Sequence, residues 1–157
     1  MASCLLALGS GAHVKAESLT SSSLSQAETT PQPVFPAIGQ YLFGQVPEPD
    51  QFGQGYMVLE STGNGVYGAL YYPRSSFDCF YGQVQGAELA MNVINSYSQE
   101  VYPYSVALVS NTAVASASLA EEPIAPLNLS GFHQINDLSG NDLRMLEVCQ
   151  GVVAPQM

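Results

Sequence analysis

Positive charge is nearly absent from this chain. Against 13 Asp and Glu there are 3 Lys and Arg, namely Lys15, Arg74 and Arg144, giving a formal net charge of -10. Without a basic patch nothing can displace counterions from phosphates, which excludes nucleic acid as a partner. Attraction to an anionic membrane surface is disfavoured for the same reason. Long apolar runs are missing too: none reaches the roughly 18 residues of a membrane-spanning helix. Histidine is scarce, with His13 and His133 only, so Ser-His-acid catalysis has little to draw on, and zinc would need Cys and His clusters that do not occur. What is present suits one domain: 157 residues, 46% hydrophobic, enough to bury a core.

Cysteine is sparse and its arrangement informative. The first residues hold a short apolar run, Cys4-Leu5-Leu6-Ala7-Leu8-Gly9, followed by Val14-Lys15-Ala16. Small or β-branched residues stand at the two positions that signal peptidase reads, although the apolar run is short and a positive start is missing. Residues 1–16 therefore read as a signal segment, and the protein as exported to a periplasm, a thylakoid lumen or the exterior. Removing that segment removes Cys4 and leaves Cys79 and Cys149, which in an oxidising compartment pair in one way.

Residues 17–37 are rich in Ser, Thr and Pro with little to bury, the composition of a flexible linker. The domain is expected over 38–150, with 151–157 as a tail. From Ile38 to Ser110, apolar stretches are punctuated by Gly, Pro, Asn and Asp, the pattern of an all-β domain. Strands are predicted over 40–45, 56–60, 66–72, 78–84, 87–95 and 101–110. Over 87–95, Leu89, Met91 and Val93 alternate with Glu88, Ala90 and Asn92, and period 2 fits better than the helical period. Thr62-Gly63-Asn64-Gly65 predicts a hairpin with a type I′ turn at Asn-Gly. Residues 111–131 read as a long loop covering an end of the sheet. Ser139 and Asp142 resemble a capping box, and Leu143, Met145, Leu146 and Cys149 follow at helical spacing before Gly151 as a stop. The expected fold is mainly β: a single antiparallel meander, either a small sandwich or a partly open barrel, with a C-terminal helix packed on it and stapled by Cys79–Cys149.

Chemistry-bearing patterns are few. No Gly-x-Ser-x-Gly elbow occurs, and His133 beside Phe132 reads as a packed or surface residue, so no catalytic residue is assigned. Glu60, Asp78 and Glu88 lie at or beside predicted strands and could in principle pair as glycosidase carboxylates do, although solvated strand ends explain them more simply. Asn136 to Asp142 faintly suggests a calcium loop, but Gly140 stands at the wrong position and Val148 where a Glu is needed, so no metal and no cofactor is assigned. The unusual feature is tyrosine: all 9 lie between Tyr41 and Tyr104. A rigid apolar ring with a polar tip suits binding surfaces, and strands also enrich Tyr for packing. Tyr71, Tyr72, Arg74, Tyr81, Tyr102 and Tyr104 are the candidate binding residues. Arg74 alternatively pairs with Asp78 to hold the bend between two strands.

The stretch Gly65-Val66-Tyr67-Gly68-Ala69-Leu70-Tyr71-Tyr72-Pro73-Arg74-Ser75-Ser76-Phe77-Asp78-Cys79-Phe80-Tyr81-Gly82, with Ile135-Asn136-Asp137-Leu138-Ser139-Gly140-Asn141-Asp142-Leu143, resembles uncharacterised exported proteins of cyanobacteria. The resemblance spans residues 38–150. It implies a source and an envelope compartment, and it carries over no functional residue. The expected function is thus a non-catalytic exported β-domain that binds a protein or ligand of the cell envelope. A small hydrolase using paired carboxylates and a structural subunit of a larger assembly are the alternatives.

Overall fold

Residues 37–109 and 128–156 are described by the structure, a computed structural model. The expected signal segment, the linker up to residue 36 and most of the 111–131 loop lie outside the described residues.

Six strands follow one another as a meander: β1 (Gly39–Gly44), β2 (Tyr56–Ser61), β3 (Val66–Tyr71), β4 (Phe77–Gln85), β5 (Glu88–Ile94) and β6 (Val101–Ala107). A seventh, β7 (His133–Ile135), returns antiparallel to β1, giving one sheet in the order β6-β5-β4-β3-β2-β1-β7. Residues 88–94 are a strand because Leu89, Met91 and Val93 share one buried face. Pro103 is accommodated because β6 ends the ladder, where a missing N–H can face away from it.

The β2–β3 hairpin forms, but its turn corrects the type I′ expectation. Ser61 pairs with Val66, so the loop is Thr62–Gly65, closed by the Thr62 N–H donating to the Gly65 carbonyl at 2.9 Å. The left-handed φ falls on Gly63 (87°), not on Asn64. With Thr62 and Gly65 joined by that bond, Gly63 and Asn64 are the central residues, and positive φ at the first alone is the glycine-first pattern of a type II′ turn.

One face of the sheet carries a lateral row, Leu42, Val58, Ala69, Cys79 and Ile94, each opposite the next in register. Helix α1 (Gly140–Val153) lies on this row with Met145, Leu146, Cys149 and Val153 inward, the i, i+1, i+4, i+8 spacing of a helix stripe. Its start is the expected capping box: the Ser139 side chain accepts from the Asp142 N–H, and Asp142 accepts from the Ser139 N–H. Two expectations are corrected. Leu143 faces outward, 45% exposed, and Gly151 does not stop the helix. Val153, fully buried in the same cluster, lies one turn beyond Cys149 and favours continuing the helix past a glycine that costs about 1 kcal/mol. The Cys79–Cys149 disulfide closes beneath it, with Cα atoms 5.2 Å apart, fixing α1 to β4.

The opposite face is equally apolar and equally buried: Phe43, Met57, Leu59, Phe80, Leu89 and Val93 are 0–1% exposed. The sheet covers this face by curling. Segment 128–135 is bound to both sheet edges: Leu129 bridges Leu108, Ser130 N–H donates to the Ala107 carbonyl just before it, and β7 pairs with β1. The turn between them uses Gly131 at φ 79°. Curling brings backbones close at Gly68, where a Cβ would strike the Val58 carbonyl oxygen and stand 2.8 Å from Leu59 Cα. The domain is therefore the partly open barrel, with α1 on its outside. Burying each large apolar side chain in either layer contributes about 1.5–3 kcal/mol.

Candidate functional site

A meander places the C-terminal ends of β1, β3 and β5 at the same end of the barrel as the N-terminal ends of β2, β4 and β6. A cavity of about 440 Å³ opens there. Leu70 and Phe132, half-buried and packed on the barrel interior, form its apolar base. Tyr102 and Tyr104 stand on the same inward face of β6, and Tyr72 and Tyr97 rise from the β3–β4 and β5–β6 loops. All four are partly open to solvent: 41% for Tyr102 and Tyr104, 55% for Tyr72 and 84% for Tyr97.

The rim is held by specific bonds. Asp78 Oδ1 accepts the Ser96 N–H at 2.8 Å, tying the start of β4 to the loop after β5. Asn95 Oδ1 accepts from the N–H groups of both Tyr97 and Ser98 at 2.9 Å, an Asx turn that sets the direction of Tyr97. Ser76 Oγ donates to the Tyr97 hydroxyl at 3.0 Å. On the other side the β1–β2 loop is drawn onto Tyr56, whose hydroxyl donates to the Glu48 carbonyl at 2.7 Å and accepts the Gln51 N–H at 2.9 Å. Tyr56 stacks on Tyr71 at 5.5 Å between ring centres, and Tyr71 donates to Asp142 Oδ1 at 2.6 Å. The cavity wall is thereby linked to the N-terminus of α1.

Electrostatically the site is simple. Asp78 is the one charged side chain among its described lining residues. Burial raises the Tyr102 phenol above the ordinary tyrosine value, with the Asp78 charge and Tyr104 adding to the shift. Tyr71 is raised further, by burial first and then by its bond to Asp142. On the helix side Tyr67 is pushed up to about 12 by burial and by Glu60.

Of the candidate binding residues, Tyr71, Tyr72, Tyr102 and Tyr104 meet at this cavity. Tyr81 does not; it sits opposite Tyr67 on the outer face and packs against the core under α1. Arg74 does not line the cavity either. It is exposed in the β3–β4 bend at φ 66°, and its expected partner Asp78 takes the Ser96 N–H instead. The three carboxylates considered for hydrolysis are not brought together. Asp78 is at the mouth on the inner side, Glu60 is bound by Gln40 Nε2 on the helix side, and Glu88 stands at the other end of β5. Asp142 is committed to Tyr71 and Ser139, and no three Asp, Glu, His or Cys residues gather to hold a metal among the described residues. His133 is exposed at the start of β7, outside the cavity lining.

Several lining residues escaped the sequence reading: Gln45, Leu70, Asn95, Tyr97 and Phe132. A usable signal existed for most of them. In a meander, residues at alternating strand ends share one end of the barrel, so the neighbours of 44, 56, 71, 78 and 95 could have been grouped. Phe132 could not, because β7 has three residues and no alternation to read. A second cavity of about 300 Å³ lies between α1 and strands β4 and β5, lined by Phe77, Ile94, Val148 and Val152 over the disulfide, with no charged group among the described lining residues.

Compared with family models, curated proteins and solved structures, the chain matches none of them.

Proposed function

We propose that the chain is an exported binding domain of the cell envelope and that it holds a small molecule in the mouth of its barrel. The observation that carries this reading is the coincidence of the barrel's open end with a roughly 440 Å³ cavity lined by six tyrosines over an apolar base. Ligand pockets are typically about 300–1,000 Å³, mostly apolar with a few placed polar groups, and barrel mouths are a preferred location. Tyrosine rings offer contact area at low entropic cost, while Asn95, Ser76 and Gln45 offer hydrogen bonds. Export is supported by the disulfide, which persists in oxidising compartments, and by the leader-like residues 1–16. The resemblance to exported cyanobacterial proteins agrees with a periplasmic, lumenal or extracellular location.

A ligand-observed NMR screen of soluble fragments tests the proposal. Fragments that bind should compete with one another and lose binding in Tyr102→Ala/Tyr104→Ala, which removes two half-exposed rings that lie outside the buried cluster. Hits indifferent to both substitutions would reject the mouth as the site.

A further inference from the structure

We propose that the barrel mouth selects cationic ligands, specifically an ammonium or quaternary ammonium group seated between Asp78 and the tyrosines of the rim. This rests on the mouth being a ligand site and goes further by fixing the charge of the ligand.

Among the described residues, Asp78 is the only charged one that lines the cavity. Its Oδ1 is used by the Ser96 N–H, while Oδ2 accepts no protein hydrogen bond among the described residues. One carboxylate oxygen is thus fixed in place and the other remains free for a donor or a cation from the cavity. A structural role alone would have been met by an amide or a hydroxyl at this position, without placing a negative charge over the apolar base made by Leu70 and Phe132. Tyr72, Tyr97, Tyr102 and Tyr104 place aromatic rings around the same space, and aromatic rings attract cations through their quadrupoles. The whole chain acts in the same direction. With a formal charge of -10 its field draws cations toward the surface and repels anions. A carboxylate-bearing or phosphate-bearing ligand would meet Asp78 with no basic lining residue among the described ones to offset it. Sugars and other neutral ligands would use the rings and leave the carboxylate's charge unmatched.

Two-dimensional NMR of the full domain, titrated separately with benzyltrimethylammonium, benzyl alcohol and benzoate, tests this directly. The ammonium probe should shift the Tyr72, Tyr97, Tyr102 and Tyr104 signals and bind at least about tenfold more tightly than the neutral alcohol, the advantage expected of one carboxylate with one or two ring faces. Benzoate should not bind. Asp78→Asn keeps an oxygen that can accept the Ser96 N–H, and it should abolish most of the tenfold preference for the ammonium over the alcohol. Rising salt should weaken the ammonium probe alone. Equal binding of ammonium and alcohol, or a preference that survives Asp78→Asn, would overturn the cation assignment and leave the mouth as a site for neutral ligands. No shift of the mouth tyrosines by any probe would overturn both readings.

Discussion

The Tyr71 hydroxyl reaches across from β3 to donate to Asp142 Oδ1 at 2.6 Å, while Asp142 Oδ2 accepts from the N–H and hydroxyl of Ser139. One buried carboxylate thus caps α1 and receives the wall of the mouth at the same time. Removing only the cross-element donor with Tyr71→Phe should destabilise the domain by about 1.5–3 kcal/mol, the range for hydrogen bonds to charged groups. Asp142→Ala should cost more, because the cap, worth about 0.5–2 kcal/mol, is lost as well. Urea unfolding of the two variants checks both the size and the order; equal stability of Tyr71→Phe and the wild type would show the bond to be idle.

The disulfide should act on α1 before it acts on the barrel. Cys79 and Cys149 are separated by 70 residues, and opening such a loop by Cys149→Ser should lower stability by about 2–5 kcal/mol. Hydrogen exchange should rise first in residues 140–153, since their inward face depends on contacts with β3 and β4, while β2 to β5 remain protected by two buried layers. Uniform loss of protection would mean that the helix and barrel unfold as one unit.

Gly68 should tolerate no side chain. Its missing Cβ is where the Val58 carbonyl and the Phe80 ring approach, so Gly68→Ala must push two strands apart and should cost more than about 3 kcal/mol, the range of severe backbone and packing conflicts. Gly86→Ala is the control. It has open space and φ 59°, so only left-handed strain of about 1–2 kcal/mol applies. Thermal melts that ranked the two the other way would contradict the close strand approach.

Alkali should destabilise the fold. Tyr67 is held at about 12, above the ordinary value near 10, and Tyr71 is raised as well. The unfolded chain releases these protons first, so the native state binds more of them between about pH 10 and 12, and stability falls as pH rises through that window. Below pH 10 the contribution is fully present. Tyrosinate absorbance at 295 nm should show a subset titrating late, together with unfolding; all nine tyrosines titrating near pH 10 with the fold intact would refute the burial argument.

Much of the architecture was readable because the apolar stretches between Tyr41 and Val106 are short and separated by segments rich in Gly, Pro and Asn; alternation helped in β5, whereas β2 and β3 are buried on both faces and carry none. The capping box at Ser139 and Asp142 and the Cys79–Cys149 pair were readable for similarly local reasons. What failed depended on distant partners. The turn at Gly63 is set by the Ser61–Val66 register, the helix runs past Gly151 because Val153 finds the core, and β7 exists because β1 offers an edge. The site was half visible. Tyr72, Tyr102 and Tyr104 were grouped by chemistry, but Tyr81 was grouped with them because composition does not say which face a tyrosine occupies.

Whether the mouth holds a ligand is tested most directly by mass spectrometry of the natively folded protein recovered from its native host. The account predicts a small-molecule adduct on the wild type, released on unfolding, that is missing from Tyr102→Ala/Tyr104→Ala prepared in the same way. An adduct retained by that double variant would place the ligand elsewhere, and a wild-type protein that carries none and takes none up from envelope extract would contradict the claim.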